Sequence, residues 1–222
     1  MRQNKSQDGS QPFTGNVNVP PLKFIGITGG VGAGKSEILQ YIKKHYKCEI
    51  YLADEVAHKV KEPGTECFQR LVELLGQDVL DAGGQINKAA MADKIFANQE
   101  ILQQVNEIVH PAVKEFIMDK YKTAVEKQEI ELFFVEAALL IEAGYKELVD
   151  ELWYIYAKRD VREARLRNSR GYSEERIANI MSKQLSEEVF RRECDFVIDN
   201  SESLTDSYRQ IDKKLEAFTW QE

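Results

Sequence analysis

Short apolar segments recur along the chain and are separated by longer stretches of mixed polarity. The first segment, residues 23–28, is apolar and β-branched without polar alternation, which is typical of a strand buried on both faces of a parallel sheet. Further strand candidates lie at 49–53, 130–135, 152–156 and 196–198. Because these strands alternate with helical segments, the pattern predicts an α/β fold built on a parallel sheet.

The stretch between the second and third strand candidates is mostly helical. Residues 55–127 follow a helical pattern, with breaks expected at Pro63-Gly64, at residues 81–84 and at His110-Pro111. The last of these breaks is interpreted as a helix start, since proline suits the first position of a helix. The whole block is too long for an ordinary crossover between strands, so it is predicted to include a subdomain that covers substrate.

Helix signals also mark the C-terminal third of the chain. A strongly basic helix is predicted from Asp160, and after a turn at Gly171-Tyr172 a second helix follows that Ser173 can cap. The run Ser203-Leu204-Thr205-Asp206 has the form of a capping box and predicts the start of a last helix.

Composition and charge narrow the class of protein. The 222 residues are 43% hydrophobic and 30% charged, which suits one α/β domain over residues 21–222, preceded by a flexible tail at 1–20. The net charge of −7 argues against binding of nucleic acid or of a membrane surface, because both require an electropositive face. No apolar run approaches the roughly 18–20 residues that span a bilayer, and the three separated cysteines suit a reducing compartment. A cytoplasmic protein with small-molecule partners is predicted.

A glycine-rich segment carries the strongest chemical signal. Residues Gly29–Ser36 match G-x-x-x-x-G-K-[ST] between a predicted strand and a predicted helix, which is the context of a P-loop. Its backbone N–H groups and the helix N-terminus are expected to bind the phosphates of ATP, with Lys35 reaching the β- and γ-phosphates and the Ser36 hydroxyl as a ligand of Mg²⁺. The residues expected to bind nucleotide are Gly30, Val31, Gly32, Ala33, Gly34, Lys35, Ser36 and Glu37.

The P-loop alone does not separate kinases from GTPases or ATPases, so other segments must discriminate between them. The chain has no N-K-x-D run for guanine recognition, and its length leaves little room for the accessory domains of a motor. These features favour a compact kinase. The alternative interpretation of residues 29–36 is a glycine-rich turn that binds no ligand.

Two carboxylates follow predicted strands, at the sheet edge where open parallel sheets bind ligands. Asp54 is a candidate to orient or accept the proton of an attacking hydroxyl, and a helix N-cap is the alternative interpretation of the same residue. Glu136 is placed to complete a Mg²⁺ site or, alternatively, to pair with Lys35.

A basic region near the C-terminus is predicted to form a lid. Residues 158–192 contain ten Lys and Arg residues against six acidic ones, within a chain that is acidic overall. Guanidinium groups on a mobile lid at 160–185 can clamp phosphates and stabilise the charge of a loose transition state. A solvated helix face with i,i+4 ion pairs is the alternative for any single arginine.

Taken together, these motifs resemble the dephospho-coenzyme A kinase family over about residues 23–215. The order and spacing of several stretches are more specific than the P-loop by itself. The stretches similar to the family are Ile25–Ser36, Leu52–His58, His110-Pro111, Leu139–Gly144, Gln184 and Asp195–Asn200.

The resemblance implies a fold and a reaction. The family transfers the γ-phosphoryl group of ATP to the ribose 3′-hydroxyl of dephospho-CoA. The resemblance also implies a P-loop-type parallel sheet flanked by helices, a helical substrate-binding region at 58–127 and a lid at 160–185. The last aspartate of the family's D-A-D motif, the presumed base, is Asp54 here.

Several positions depart from the family pattern, among them Ala138 where a proline is expected and an arginine that is missing before Gln184. Leu52 stands where the first aspartate of D-A-D is expected, and His58 replaces an arginine. In the lid, Arg165 is in register, but Ser169 occupies the position of the second arginine and Arg170 is displaced from it by one residue. The resulting hypothesis has Lys35, Asp54, Arg165 and Arg170 as catalytic residues. The alternatives are another nucleoside or nucleotide kinase, or a nucleotide-binding module without transfer activity.

Overall fold

Five parallel strands form the sheet at the centre of the molecule. The computed structural model describes residues 22–219, and the tail predicted at 1–20 lies outside this part of the chain. The order of the strands is β2-β3-β1-β4-β5, and every neighbouring pair is parallel. The strands are β1 Lys23–Thr28, β2 Cys48–Leu52, β3 Leu132–Glu136, β4 Glu151–Tyr156 and β5 Phe196–Asp199. The predicted α/β class and all five predicted strands are thus confirmed.

Helices connect these strands and cover both faces of the sheet. Short 3₁₀ helices also occur at Gln77–Val79 and Tyr145–Glu147. The α-helices within the described residues are α1 Lys35–His45, α2 Ala53–Lys59, α3 Glu66–Leu75, α4 Lys88–Ala97, α5 Gln99–Lys127, α6 Arg159–Arg170, α7 Glu174–Ser182, α8 Glu187–Glu193 and α9 Leu204–Thr219.

The apolar side chains of the strands belong to two hydrophobic cores, one on each face of the sheet. Alternate residues of β1 point to opposite faces, so that Phe24 joins one core while Ile25 and Ile27 join the other, all of them almost fully buried. Helices α1 and α9 cover the second core, whereas α2, α3 and α5 cover the first. Burying each such side chain contributes about 1.5–3 kcal/mol to folding. The continuous apolar runs of the sequence are therefore explained by burial on both faces.

Helix α5 shows that the break predicted at His110-Pro111 is wrong. The helix runs without interruption from Gln99 to Lys127, with Pro111 inside it. Proline there lacks one backbone N–H donor, but Val109 and Val113 on either side are buried in the first core. Packing of this face keeps the helix continuous. Further along, Tyr121 of α5 stacks on Phe24 of β1 with ring centroids 4.8 Å apart, which joins the helix to the sheet.

Side-chain caps confirm the two helix starts predicted near the C-terminus. The Ser173 hydroxyl accepts a hydrogen bond from the Arg176 N–H at 3.3 Å, at the start of α7. The Ser203 hydroxyl accepts from the Asp206 N–H at 3.2 Å and donates to the Asp206 carboxylate at 2.7 Å. These caps satisfy backbone donors that the first turn of a helix leaves without partners.

Candidate active site

The loop between β1 and α1 is shaped for close approach of a ligand to its backbone. Gly32 and Gly34 adopt positive φ angles of 83° and 90°, a conformation that side chains with a Cβ disfavour. No side chain caps the N-terminus of α1, so its first N–H groups remain available to an anion. The geometry matches the predicted phosphate-binding loop.

A large cavity at the carboxyl ends of the strands brings the predicted site residues together. Its volume is about 1200 Å³. This size accommodates a nucleotide together with a second substrate, because ligand pockets commonly measure about 300–1,000 Å³. Of the residues predicted from the sequence, the cavity is lined by Gly30, Val31, Gly32, Ala33, Gly34, Lys35, Ser36, Glu37, Asp54, Glu136, Arg165 and Arg170.

Lys35 and Glu136 face each other at the floor of this cavity. The Lys35 ammonium donates to the Gly29 carbonyl at 2.8 Å and lies 3.5 Å from a Glu136 carboxylate oxygen, and each side chain is only 16% exposed. Burial raises the pKa of Glu136, the charge of Lys35 opposes this effect, and the negative charge of Asp54 adds to it. The ion pair predicted as one interpretation of Glu136 is therefore confirmed.

Asp54 lies in the first turn of α2, two residues beyond the end of β2. The N-cap of this helix is Leu52, so the alternative interpretation of Asp54 as an N-cap is wrong. Its carboxylate is exposed to the cavity, where the positive end of the helix dipole favours a negative charge. Leu52 lines the same cavity and supplies no second carboxylate there.

Arg165 reaches the P-loop from α6, but it contacts the loop through carbonyl groups of the protein. Its guanidinium donates to the Ala33 carbonyl at 3.2 Å and to the Asn200 carbonyl at 2.9 Å. The Asn200 side-chain amide also donates to the Ala33 carbonyl, at 2.8 Å, and its oxygen accepts from the Ser207 hydroxyl at 2.9 Å. Asn200 and Ser207 are almost fully buried. This network ties α6, α9 and the end of β5 to the P-loop.

The other lid positions singled out in the sequence lie further along α6. The Ser169 hydroxyl donates to the Arg165 carbonyl at 2.6 Å, so it is directed at its own helix. Arg170 is the last residue of α6, exposed, and lines the cavity. The structure thus brings Arg170 to the cavity, while its contact with phosphate stays a prediction.

Sequence reasoning did not assign a role to Arg162, which also contacts the P-loop. Its Nε donates to the Val31 carbonyl at 3.0 Å, and its Nη2 donates to the side-chain oxygen of Gln184. Arg162 precedes Arg165 by three residues, which places both on neighbouring positions of one helix face. This spacing is the signal that was present in the sequence.

The donor atoms near the P-loop suit a hard cation such as Mg²⁺. The Ser36 hydroxyl and the carboxylates of Asp54 and Glu136 line the same cavity and offer oxygen ligands. That arrangement fits Mg²⁺, which is usually held by one or two protein oxygens together with substrate phosphates. Among the described helices, none is both long and apolar enough to cross a membrane.

Comparison with known proteins agrees with this geometry. The family model for dephospho-CoA kinase matches residues 23–206. The dephospho-CoA kinase of Corynebacterium diphtheriae is 32% identical over 90% of this chain and 96% of its own, and that of Aquifex aeolicus is 33% identical over 89% and 98%. The structure of dephospho-CoA kinase from Campylobacter jejuni superimposes with a TM-score of 0.65 at 21% identity, over 87% of this chain and 95% of that one, and so supports the fold. The chain belongs to the dephospho-CoA kinase family.

Proposed function

We propose that the protein transfers the γ-phosphoryl group of ATP to the ribose 3′-hydroxyl of dephospho-CoA, giving ADP and coenzyme A. The observation that carries this proposal is the shared cavity, in which a P-loop, Asp54 and Glu136 meet within a chain of this family. In the transfer, the bond from the γ-phosphorus to the bridging oxygen breaks as the bond to the 3′-oxygen forms. The proton of the 3′-hydroxyl passes to the Asp54 carboxylate.

The P-loop holds the donor nucleotide in this mechanism. The N–H groups of the loop and of the first turn of α1 bind phosphate oxygens, and no side chain caps the N-terminus of that helix. Lys35 contacts the β- and γ-phosphates, and its pairing with Glu136 keeps the ammonium at the cavity floor in the free protein.

Ser36 is the proposed protein ligand of Mg²⁺, with Glu136 or Asp54 completing the shell through water. When bound, the ion neutralises phosphate charge during transfer. The protein's contribution is to present a small number of oxygen donors beside the loop, in line with the chemistry of this cation.

The acceptor enters beside Asp54, and the lid covers the donor. Asp54 and Glu55 of α2 line the cavity, and α2 packs against α5, which supports the assignment of residues 58–127 as the acceptor-binding region. Helices α6 and α7 supply the lid at 160–185, with Arg165 holding the loop and Arg170 facing the cavity. Closure over the substrates excludes water, which otherwise competes with the 3′-hydroxyl for the γ-phosphoryl group.

The proposal is tested by the choice of acceptor. Purified protein with Mg·ATP is expected to form ADP with dephospho-CoA and not with nucleosides or nucleoside monophosphates. Transfer to a nucleoside monophosphate but not to dephospho-CoA would show a different kinase. Binding of ATP and dephospho-CoA without ADP formation would show a nucleotide-binding module without transfer activity. This outcome is included because Leu52 supplies no carboxylate at a position where the family has one.

The role of Asp54 is tested by Asp54→Asn. Loss of the acceptor for the proton is expected to lower kcat by about 10²–10⁴-fold, while the Kd for ATP changes less than threefold, because this carboxylate acts on the acceptor. Glu188→Gln makes the same chemical change at an exposed position on α8 and is the control. Turnover by Asp54→Asn equal to that of the control refutes the assignment.

A further inference from the structure

Arg162 is a half-buried cation beside the P-loop that forms no ion pair among the described residues. Among residues 22–219, its two hydrogen-bond acceptors are the Val31 carbonyl and the Gln184 amide oxygen, both neutral. Burial lowers the pKa of Arg162, which reflects the cost of holding its charge away from water. A guanidinium held in such a place without an ion-pair partner is suited to a negatively charged ligand.

The position of this guanidinium relative to Lys35 indicates which ligand group it would meet. A Cβ built at Gly30 would lie 2.5 Å from the Arg162 guanidinium carbon and 2.8 Å from the Gln184 oxygen. The neighbouring carbonyl, that of Gly29, accepts the hydrogen bond from the Lys35 ammonium. Both cations therefore converge on Gly29-Gly30, and Lys35 is the residue that contacts the β- and γ-phosphates in P-loops.

The other lid positions are less suited to the same task. Arg165 uses its terminal nitrogens on the Ala33 and Asn200 carbonyls. Ser169 is uncharged and bonds to its own helix, and Arg170 is exposed at the helix end. Arg162 is half-buried, and its other terminal nitrogen, Nη1, carries none of the hydrogen bonds described above.

We propose that Arg162 is the lid cation that contacts the γ-phosphoryl group during transfer, in place of the residue missing at Ser169, and that Gln184 positions it. The inference rests on the proposed function and goes beyond it by naming the residue. Arg162 stabilises the charge that spreads over the γ-phosphoryl oxygens in a loose transition state. Gln184, from the turn after α7, fixes the orientation of the guanidinium, so the two helices of the lid act on the phosphoryl group together.

Steady-state kinetics and nucleotide binding test the proposal on the full chain. Arg162→Ala is expected to lower kcat by about 10²–10³-fold, while the Kd for ATP measured by calorimetry rises less than tenfold, because the interaction is strongest in the transition state. Arg159→Ala removes an exposed arginine of the same helix, which pairs with Glu163, and is expected to keep kcat within twofold. A kcat for Arg162→Ala within threefold of wild type overturns the proposal.

Chemical rescue and further variants separate an effect on chemistry from an effect on folding. Millimolar guanidinium is expected to restore part of the turnover of Arg162→Ala, and the added change Ser169→Arg is expected to recover at least tenfold. Neither rescue is expected if Arg162 only supports the fold. Gln184→Leu is expected to lower kcat by roughly tenfold with little change in the Kd for ATP, as a positioning residue does. If Arg162→Ala does not fold, Arg162→Lys and Gln184→Leu decide the question by the same kinetics.

Failure of the two proposals is distinguishable. A wild-type chain that phosphorylates another acceptor contradicts the choice of dephospho-CoA, and the Arg162 variants are then compared with that acceptor. A wild-type chain that forms ADP from dephospho-CoA, with Arg162→Ala equally active, contradicts only the role of Arg162. A wild-type chain inactive with every acceptor refutes both.

Discussion

Replacement of Asn200 by alanine tests how much the buried network behind the P-loop contributes to stability. The side chain donates to the Ala33 carbonyl at 2.8 Å and accepts from the Ser207 hydroxyl at 2.9 Å. Each buried hydrogen bond is worth about 1 kcal/mol, and the small void left by alanine adds about 0.5–1 kcal/mol. The Ala33 carbonyl keeps its bond from Arg165, and Ser207 keeps its bond to the Asp199 carbonyl, so neither partner is stranded. The expected loss in free energy of unfolding is about 2–3 kcal/mol.

Equilibrium urea unfolding and thermal melting measure this loss. For a chain of this size, about 2–3 kcal/mol corresponds to a fall in Tm of roughly 5–10 °C. Asn179→Ala is the matched control, because that side chain is exposed on α7 and alanine is the better helix former. A double-mutant cycle with Ser207→Ala is expected to give a coupling of about 1 kcal/mol. The Kd for ATP is also expected to rise several-fold, because the Ala33 peptide loses one of its supports.

Two results would refute this reasoning. Unfolding of Asn200→Ala within 0.5 kcal/mol of wild type would show that the network adds nothing to stability. Additive effects of Asn200→Ala and Ser207→Ala would show that their hydrogen bond is not a coupled interaction.

The remaining predictions concern Glu136 and Gly34. Burial raises the pKa of Glu136 above its ordinary value of 4.5, so the folded state holds this proton more tightly and the associated stability is lost as pH rises through the raised pKa. Glu136→Gln, which cannot ionise, is therefore expected to lose less stability than wild type between pH 4.5 and neutral pH in urea titrations, and parallel pH profiles would contradict this. Gly34→Ala is expected to weaken ATP binding and to destabilise the fold by more than Gly64→Ala does. Both glycines have φ near 90°, so the backbone strain is similar in the two variants. A Cβ at Gly34 would collide with the Asn200 amide, whereas a Cβ at Gly64 would meet open space. Equal melting temperatures of the two glycine variants would show that the contact with Asn200 costs nothing.

Much of the fold could be predicted because its signals are local. The strand β1 is an unbroken apolar run followed by glycines, and its burial on both faces explains both features. The continuous helix through Pro111 could not be predicted in this way. A proline favours a helix start locally, but the buried positions Val105, Val109 and Val113 stabilise the helix on both sides through contacts with residues distant in sequence. Tertiary packing decided the outcome.

Only part of the candidate site could be predicted from the sequence. The P-loop and Asp54 follow from motif and strand position, and the structure places both at one cavity. The spacing of Arg162 and Arg165 places them on one face of α6, but which residues of that helix meet the P-loop depends on how α6 packs against it, and spacing does not specify this. The hydrogen bond from Arg165 to the Ala33 carbonyl and that from Arg162 to the Val31 carbonyl could therefore not be predicted from the sequence.

The unbroken helix α5 has a mechanical consequence. At 29 residues it is about 43 Å long, and it packs on β1 through Tyr121 while α2, α3 and α4 pack along it. Because α2, α3 and α4 all pack against this continuous helix, we expect them to move with the sheet as one body. We therefore expect the flexibility needed for substrate entry in the proposed lid, where the turn that begins at Gly171 separates two short helices. Amide hydrogen exchange should accordingly divide the protein at α6, and not between the sheet and the helical region.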